Sequence, residues 1–385
     1  MSIPAIELQP AQLPPSCEAL RREVRAFLAE ELTAGRFAPA CDNWLGGFDA
    51  DFSRRLAARG WLGMTLPTEY GGHGRSALER YVVTEELLAV GAPVAAHWVG
   101  DRQTGASLLR YGSEEQKRYF LPRLASAEVF FAIGMSEPGS GSDLASVRTR
   151  GERVDGGWRL TGTKLWTSNA HHADWFFVLC RTAPLGEDRH AGLSQFIVDL
   201  RSPGITIRPV PILTGAHHFN EVVLEDVFVP DTHVLGEIGQ GWKQVTSELA
   251  FERSGPERFM STFPLLAEFL RVLGNAPDPH TATAVGELAA ELWSLRQMSL
   301  SVAAALQRGE APDVAAALVK DLGTRFESDV FERVRLLADT APSLTARRHL
   351  DRLLAQAILH SPGFTLRGGT NEILRGVVAR ALGLR

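Results

Sequence analysis

At 385 residues, with 45% apolar and 22% charged side chains, the chain has the composition of a soluble globular protein too long for one compact core, so two or three packed regions are expected. A formal net charge of −5 argues against a dedicated nucleic-acid or membrane-surface binder. Cys17, Cys41 and Cys180 are scattered and odd in number, which excludes a disulfide framework or a thiolate metal cluster and fits a reducing cytoplasm.

The opening segment MSIPAIELQPAQLPPS lacks a basic stretch followed by an apolar run, so a secretory signal is not expected. From about Pro15 to Leu124 apolar residues recur at helical spacing (Leu20, Val24, Phe27-Leu28, then Val82-Val83 and Leu87-Leu88), with Pro67, Gly71-Gly72 and Pro93 as punctuation. Asp101-Arg102 falls in this part; it is a candidate for the lining of a pocket, with a loop or surface role the simpler account. From about Val129 to Pro230 the pattern changes to short strands. Trp158–Lys164 alternates, Trp175–Arg181 is a continuous apolar run, and Gln195–Leu200 and Ile205–Pro209 follow, with turns at Asp155-Gly156-Gly157 and Ser202-Pro203-Gly204. Apolar runs such as Trp175–Cys180 are far too short to span a bilayer.

Helical spacing returns after Gly241, and Gly274–Thr283 reads as a surface connector between two helices. The C-terminus shows neither a peroxisomal tripeptide nor a prenylation box. The expectation is a soluble, cytoplasmic α+β protein: an N-terminal helical domain at 1–128, a middle antiparallel β-domain at 129–235 and a C-terminal domain resembling a four-helix bundle at 236–385.

Two segments of the middle region carry chemistry. Met135-Ser136-Glu137-Pro138-Gly139-Ser140-Gly141-Ser142-Asp143 is a Gly/Ser loop whose hydroxyls and amides suit phosphate or the polar edge of a ring cofactor. Read alone, a plain turn is the simpler account. Further on, Lys164-Leu165-Trp166-Thr167-Ser168-Asn169 sets a Trp beside two hydroxyls at a strand end, where it can stack on a planar cofactor, although a Trp there is more often core. His171-His172 and His217-His218 are a poor metal site, because adjacent histidines on a strand point to opposite faces and no Cys or carboxylate stands at ligand spacing.

In this order and spacing the two segments resemble the acyl-CoA dehydrogenase family, whose middle domain carries a T/S-E-P-x-x-G-S-D loop followed by W-x-T/S-N. Phe219-Asn220-Glu221-Val222, Asp226–Pro230, Gly239-Gln240-Gly241-Trp242 and Gly368-Gly369-Thr370-Asn371-Glu372-Ile373 continue the match, from about Phe131 to Arg375. The resemblance implies FAD as cofactor and removal of an α proton and a β hydride from an acyl thioester. It puts Met135, Ser136, Gly141 and Ser142 against the flavin and its phosphates, with Ser142 also near the substrate. Trp166 would lie against the isoalloxazine with Thr167 beside it, and Ser168 would offer its hydroxyl to flavin N5. Thr370 and Glu372 would touch the nucleotide end.

In most of the family the catalytic carboxylate immediately precedes the C-terminal G-T pair, a place taken here by Gly368, which cannot act as a base. The isovaleryl- and long-chain-like branch carries its Glu on the first long helix after the β-domain. Leu249-Ala250-Phe251-Glu252-Arg253 matches that pattern, so the resemblance assigns the base to Glu252. It leaves Gly368 to aim a backbone N–H at the thioester oxygen, and a glycine there suggests room for a broad acyl group. Arg253 would orient Glu252 or a substrate group, or form a structural ion pair.

An Arg-x-x-Phe-Gly element and a Gln-x-x-Gly-Gly-x-Gly turn, used across subunits in family homotetramers, are missing from the sequence. The expectation is therefore an oligomer with a homologous second chain, as in bacterial enzymes for bulky steroid side-chain thioesters, with a homo-oligomer binding FAD through other residues as the alternative. Electron-transfer flavoprotein is the expected acceptor, and the acyl carrier is CoA or an acyl-carrier protein. Two further functions stay open, a flavin oxidase or hydroxylase of the same fold and a non-catalytic subunit. The retained Glu-Arg pair argues against the first and the retained hydroxyls against the second.

Overall fold

The computed structural model describes residues 8–384, with the side chains of 248–252 outside the description. Its helices before the sheet are α1 (Pro15–Thr33), α2 (Asn43–Gly46), α3 (Ala50–Ala58), α4 (Ala77–Ala89), α5 (Ala95–Val99), α6 (Gly105–Tyr111) and α7 (Glu114–Ala125). The strands are β1 (Phe131–Gly134), β2 (Arg150–Val154), β3 (Gly157–Ser168), β4 (Trp175–Arg181), β5 (Leu193–Asp199), β6 (Ile205–Val210), β7 (Phe219–Pro230) and β8 (Val234–Leu235). Then come α8 (Gly241–Arg253), α9 (Phe263–Leu273), α10 (Pro279–Gln307), α11 (Asp313–Leu337), α12 (His349–Phe364) and α13 (Asn371–Ala381). The helix, sheet, helix order follows the two changes of hydrophobic period in the sequence. The connector expected at 274–283 is shorter, because Asp278 caps the amides of His280 and Thr281 and starts α10 at Pro279.

The chain divides into two compact units, one drawn from residues 1–44, 76–93 and 250–385, the other from 45–75 and 94–249. In the second, the sheet runs in the order β6-β7-β3-β2-β4-β5-β8, with β1 beside β4. Its long pairings are antiparallel, and β1 runs parallel to β4. β4 reads as an unbroken apolar run because both of its faces are covered: Phe176, Val178 and Cys180 join one core with Phe196, Leu160 and Val222, while Trp175 and Phe177 join another with Phe120, Leu121 and Phe131. Helix α7 starts at a capping box in which Ser113 and Gln116 satisfy each other's amides.

In the first unit α4 packs on α1 and α10, and α11 packs on α10, α12 and α13. Glu85 and Glu86 of α4 are buried, and Arg21, Arg25 and Arg296 converge on them. Among the described residues, no helix is long and apolar enough to cross a membrane.

A Cβ on Gly134, the last residue of β1, would stand 2.1 Å from the Phe176 ring. Gly134→Ala should lower stability by about 1–3 kcal/mol through overpacking, measured by urea unfolding.

Candidate active site

The Gly/Ser loop leaves β1 and is drawn back onto β3 by three contacts. The Leu165 amide donates to Ser136 O at 2.9 Å. Lys164 Nζ donates to Met135 O at 3.2 Å and to Glu137 Oε1 at 2.8 Å. Glu137 also accepts from the amides of Arg148 (2.7 Å) and Thr149 (2.9 Å), and its backbone bridges Ser140 across the Pro138-Gly139 turn. Lys164 is 0% exposed, so this ion pair is sealed from water. Although burial opposes ionisation of Glu137, Lys164 and the donors at Thr149 and Arg148 outweigh it and hold the carboxyl below its usual range.

These contacts bring Met135 and Ser136 alongside Lys164–Trp166, while Gly141 and Ser142 stand exposed farther along the loop. The pairing of β3 with β7 shifts register between Lys164 and Thr167. Trp166 there takes the left-handed conformation (φ 62°) and is 53% exposed, with Phe219 edge-on at 5.6 Å. Asn169 is left-handed as well (φ 55°). Backbone strain of this kind collects at functional sites. Thr167 points inward, and its buried Oγ1 has no partner. Among the described hydrogen bonds none involves the hydroxyl of Ser136, Ser142 or Ser168. A Cβ on Gly139 or Gly141 would meet nothing within 4 Å.

In the other unit, Gly368 (φ 68°) and Gly369 (φ 83°) form a left-handed turn before Thr370, which caps α13 through the Ile373 amide at 3.4 Å. Glu372 is exposed in the first turn of that helix. Arg253 is buried and donates from Nε to Gly368 O at 3.3 Å. Behind the turn Arg258 and Arg367 stack on Trp44, at 5.3 and 4.6 Å. Arg367 also binds Asp42 and donates to Ser261 at 2.8 Å. Glu327 of α11 accepts from the Ser261 amide at 2.8 Å, and burial pushes its carboxyl up to about 7. Lys320, also on α11, is pushed down to about 7 by burial and by Arg258 and Arg367.

Family models described as acyl-CoA dehydrogenase N-terminal, middle and C-terminal domains match residues 14–128, 132–227 and 239–383. Acyl-CoA dehydrogenase IpdE1 of Mycobacterium tuberculosis (strain ATCC 25618 / H37Rv) is 34% identical over 387 residues, covering 95% of this chain and 97% of that protein. The chain belongs to the acyl-CoA dehydrogenase family. Its fold is shared, at a TM-score of 0.84 and 30% identity, with the Tcur3481-Tcur3483 steroid ACAD, over 97% of this chain and 98% of that one. The ChsE4-ChsE5 complex from Mycobacterium tuberculosis gives the same score and identity over 98% of this chain and 100% of that one.

As a member, the chain is an acyl-CoA dehydrogenase and FAD is its cofactor. The second unit suits that group: an outward-held indole, hydroxyls with no partner among the described residues and an open glycine loop lie on one loop and one strand end.

Several sequence expectations change. Glu252 is in α8, but its side chain lies outside the described residues. The space beside Gly368 is not open for an acyl group, because a Cβ there would be 2.8 Å from Arg258 Nη2. Asp101 and Arg102 sit in a π-helical turn, Gly100–Thr104, not a surface loop. Arg102 is buried over the Trp98 ring, and Asp101 accepts from the Gly63 amide at 2.7 Å. His171 and His172 lie in the turn after β3, not on a strand, with ring centroids 3.9 Å apart, and His171 stacks on His217 at 3.9 Å. Burial, followed by the neighbouring imidazoles, pushes His171 down to about 4. Among the described residues no group of three His, Cys, Asp or Glu is arranged to hold a metal. Sequence reasoning passed over Lys164, Arg258, Lys320, Glu327 and Arg367. Only the position of Lys164, at the head of the second motif segment, was a usable signal.

Lys164→Met would strand the Glu137 carboxylate in the interior and should cost about 3–5 kcal/mol in urea unfolding. Glu327 has a raised folded pKa, so its contribution to stability is present below the usual 4.5 and is lost as pH rises through about 7. The melting temperature of Glu327→Gln should therefore fall less than that of the parent between about pH 5 and about pH 8.

Proposed function

We propose that this chain is the substrate-side subunit of a heteromeric acyl-CoA dehydrogenase, with Glu252 removing the α proton of a bulky acyl-CoA thioester. The observation that carries the reading is the filled space at Gly368. A side chain there would crowd the Arg258 guanidinium, and the turn is left-handed, so a carboxylate at the usual place would be strained. Glu252 is the carboxylate that remains at a position the family uses. The next residue, Arg253, reaches Gly368 O and so ties the end of α8 to the same turn.

In the reaction the α C–H bond breaks and its proton passes to the Glu252 carboxylate, while negative charge moves onto the thioester oxygen. Backbone N–H groups of the Gly368–Thr370 turn stabilise that charge. Bound FAD supplies the acceptor for the β hydride at N5, which no side chain can provide. Met135, Ser136, Gly141 and Ser142 would hold the flavin and its phosphates, Trp166 and Thr167 would stand beside the ring, and Ser168 would offer it a hydroxyl. Thr370 and Glu372 would hold the nucleotide end.

Support for a second chain comes from the two missing interface motifs and from the similar structures, one of a Tcur3481-Tcur3483 steroid ACAD and one of a ChsE4-ChsE5 complex. The acyl group is accordingly placed among polycyclic or branched thioesters, and electrons pass to an electron-transfer flavoprotein. The three buried free thiols suit the reducing cytoplasm.

Glu252→Gln should retain FAD and slow anaerobic flavin reduction by about 10²–10⁴-fold, the usual contribution of a general base. Undiminished reduction would remove Glu252 from the mechanism. Flavin absorbance per subunit tests the assembly. Expressed alone, the chain should carry little FAD and gain it with a homologous partner, whereas near-stoichiometric FAD in the lone chain would establish a homo-oligomer.

A further inference from the structure

The Gly368-Gly369 turn is gripped from its carbonyl side by two basic side chains. Lys320 Nζ donates to Thr365 O at 3.2 Å, to Gly369 O at 2.8 Å and to Asn371 Oδ1 at 2.6 Å. Arg253 Nε takes Gly368 O. Nζ has three acceptors around it, enough for every donor of its charged form, on a side chain 0% exposed. Asn371 is itself fixed, donating to Thr324 Oγ1 at 3.1 Å and to Asp321 O at 3.4 Å. Burying a lysine beside Arg258 and Arg367 is costly. A lysine kept there has a task that an apolar side chain of the same length would not perform.

Peptide geometry indicates that task. A trans peptide points its N–H opposite to its C=O, and no cis peptide is present among the described residues. With Gly368 O turned to Arg253 and Gly369 O to Lys320, the amides of Gly369 and Thr370 face the other way. Among the described hydrogen bonds none is donated by the amide of Gly368, Gly369 or Thr370, and all three residues are partly exposed. Consecutive amides left open in this way, with their carbonyls held from behind, form a concavity for an anionic oxygen.

We propose that Lys320 is a positioning residue for the dehydrogenation. From behind the turn it fixes the peptide planes whose amides polarise the thioester carbonyl. This rests on the function proposed above, in which that oxygen gathers charge as the α proton leaves. Lys320 touches neither substrate nor flavin in this scheme, so its loss should reach the rate through the turn and leave capture of the CoA thioester nearly intact.

The test uses the FAD-loaded protein, assembled with its partner where one is needed, and the best substrate from a panel of straight-chain, branched and sterol-side-chain CoA thioesters. Lys320→Met should keep its FAD content and hold KM within about threefold, with kcat down by about 10²-fold, near the effect of losing an oxyanion donor. In isotope-edited infrared spectra the thioester carbonyl stretch of the bound substrate should move to lower frequency in the parent, and this shift should be lost in the variant. A purely structural lysine would leave the shift in place. Lys320→Gln, which retains two donors, should lie between the two.

A kcat within threefold of the parent, or an unchanged carbonyl shift, would overturn the proposal. So would failure of both variants to assemble with FAD, which would make Lys320 a folding residue. Glu252→Gln run in parallel separates the two ideas. Full activity there removes the base assignment, whereas a slow Glu252→Gln beside a parent-like Lys320→Met removes only this one.

Discussion

Lys164 and Glu137 face each other in the interior of the sheet unit, and much of the candidate flavin surface is arranged around that contact. A buried carboxylate is tolerated only when its lone pairs are filled, and here a lysine and two backbone amides fill them. The consequence is geometric. Glu137 holds the start of the loop down with buried Ser140, leaving Pro138, Gly139, Gly141 and Ser142 exposed, and Lys164 fixes the strand from which Trp166 is displaced. The hydroxyls of Ser136 and Ser168 therefore stand on supports that do not depend on the cofactor for their position.

The other unit repeats the device with different parts. Lys320 and Arg253 hold a glycine turn by its carbonyls, and Arg258, Arg367, Asp42 and Glu327 stand behind it. In both places a short exposed motif is backed by buried charge drawn from distant segments. This accounts for how much could be read in advance. The order of helices and strands was legible because apolar period reports directly on burial, as the unbroken run of β4 and the alternation of β3 illustrate. The motif loops were legible because glycine and hydroxyl residues cluster in sequence.

The supports were not legible. A buried lysine looks like a surface lysine until its acceptors arrive, and those of Lys320 come from residues 365–371, beyond the end of its own helix. The same holds for Arg258, which lies far in sequence from the glycine it crowds. The histidine pairs were misread because a strand was assumed to run on past Ser168. It ends at left-handed Asn169, after which the chain turns and lets the imidazoles stack.

The crowding of Gly368 by Arg258 also bears on how such a sequence can change over time. A carboxylate would return to that position only with strain, since the newcomer would meet both an unfavourable φ and a guanidinium already stacked on Trp44. The guanidinium would have to shift its far end, which is packed on Trp44. Positions 258 and 368 are thus coupled sterically, so that a side chain gained at one is felt as a demand on the rotamer of the other.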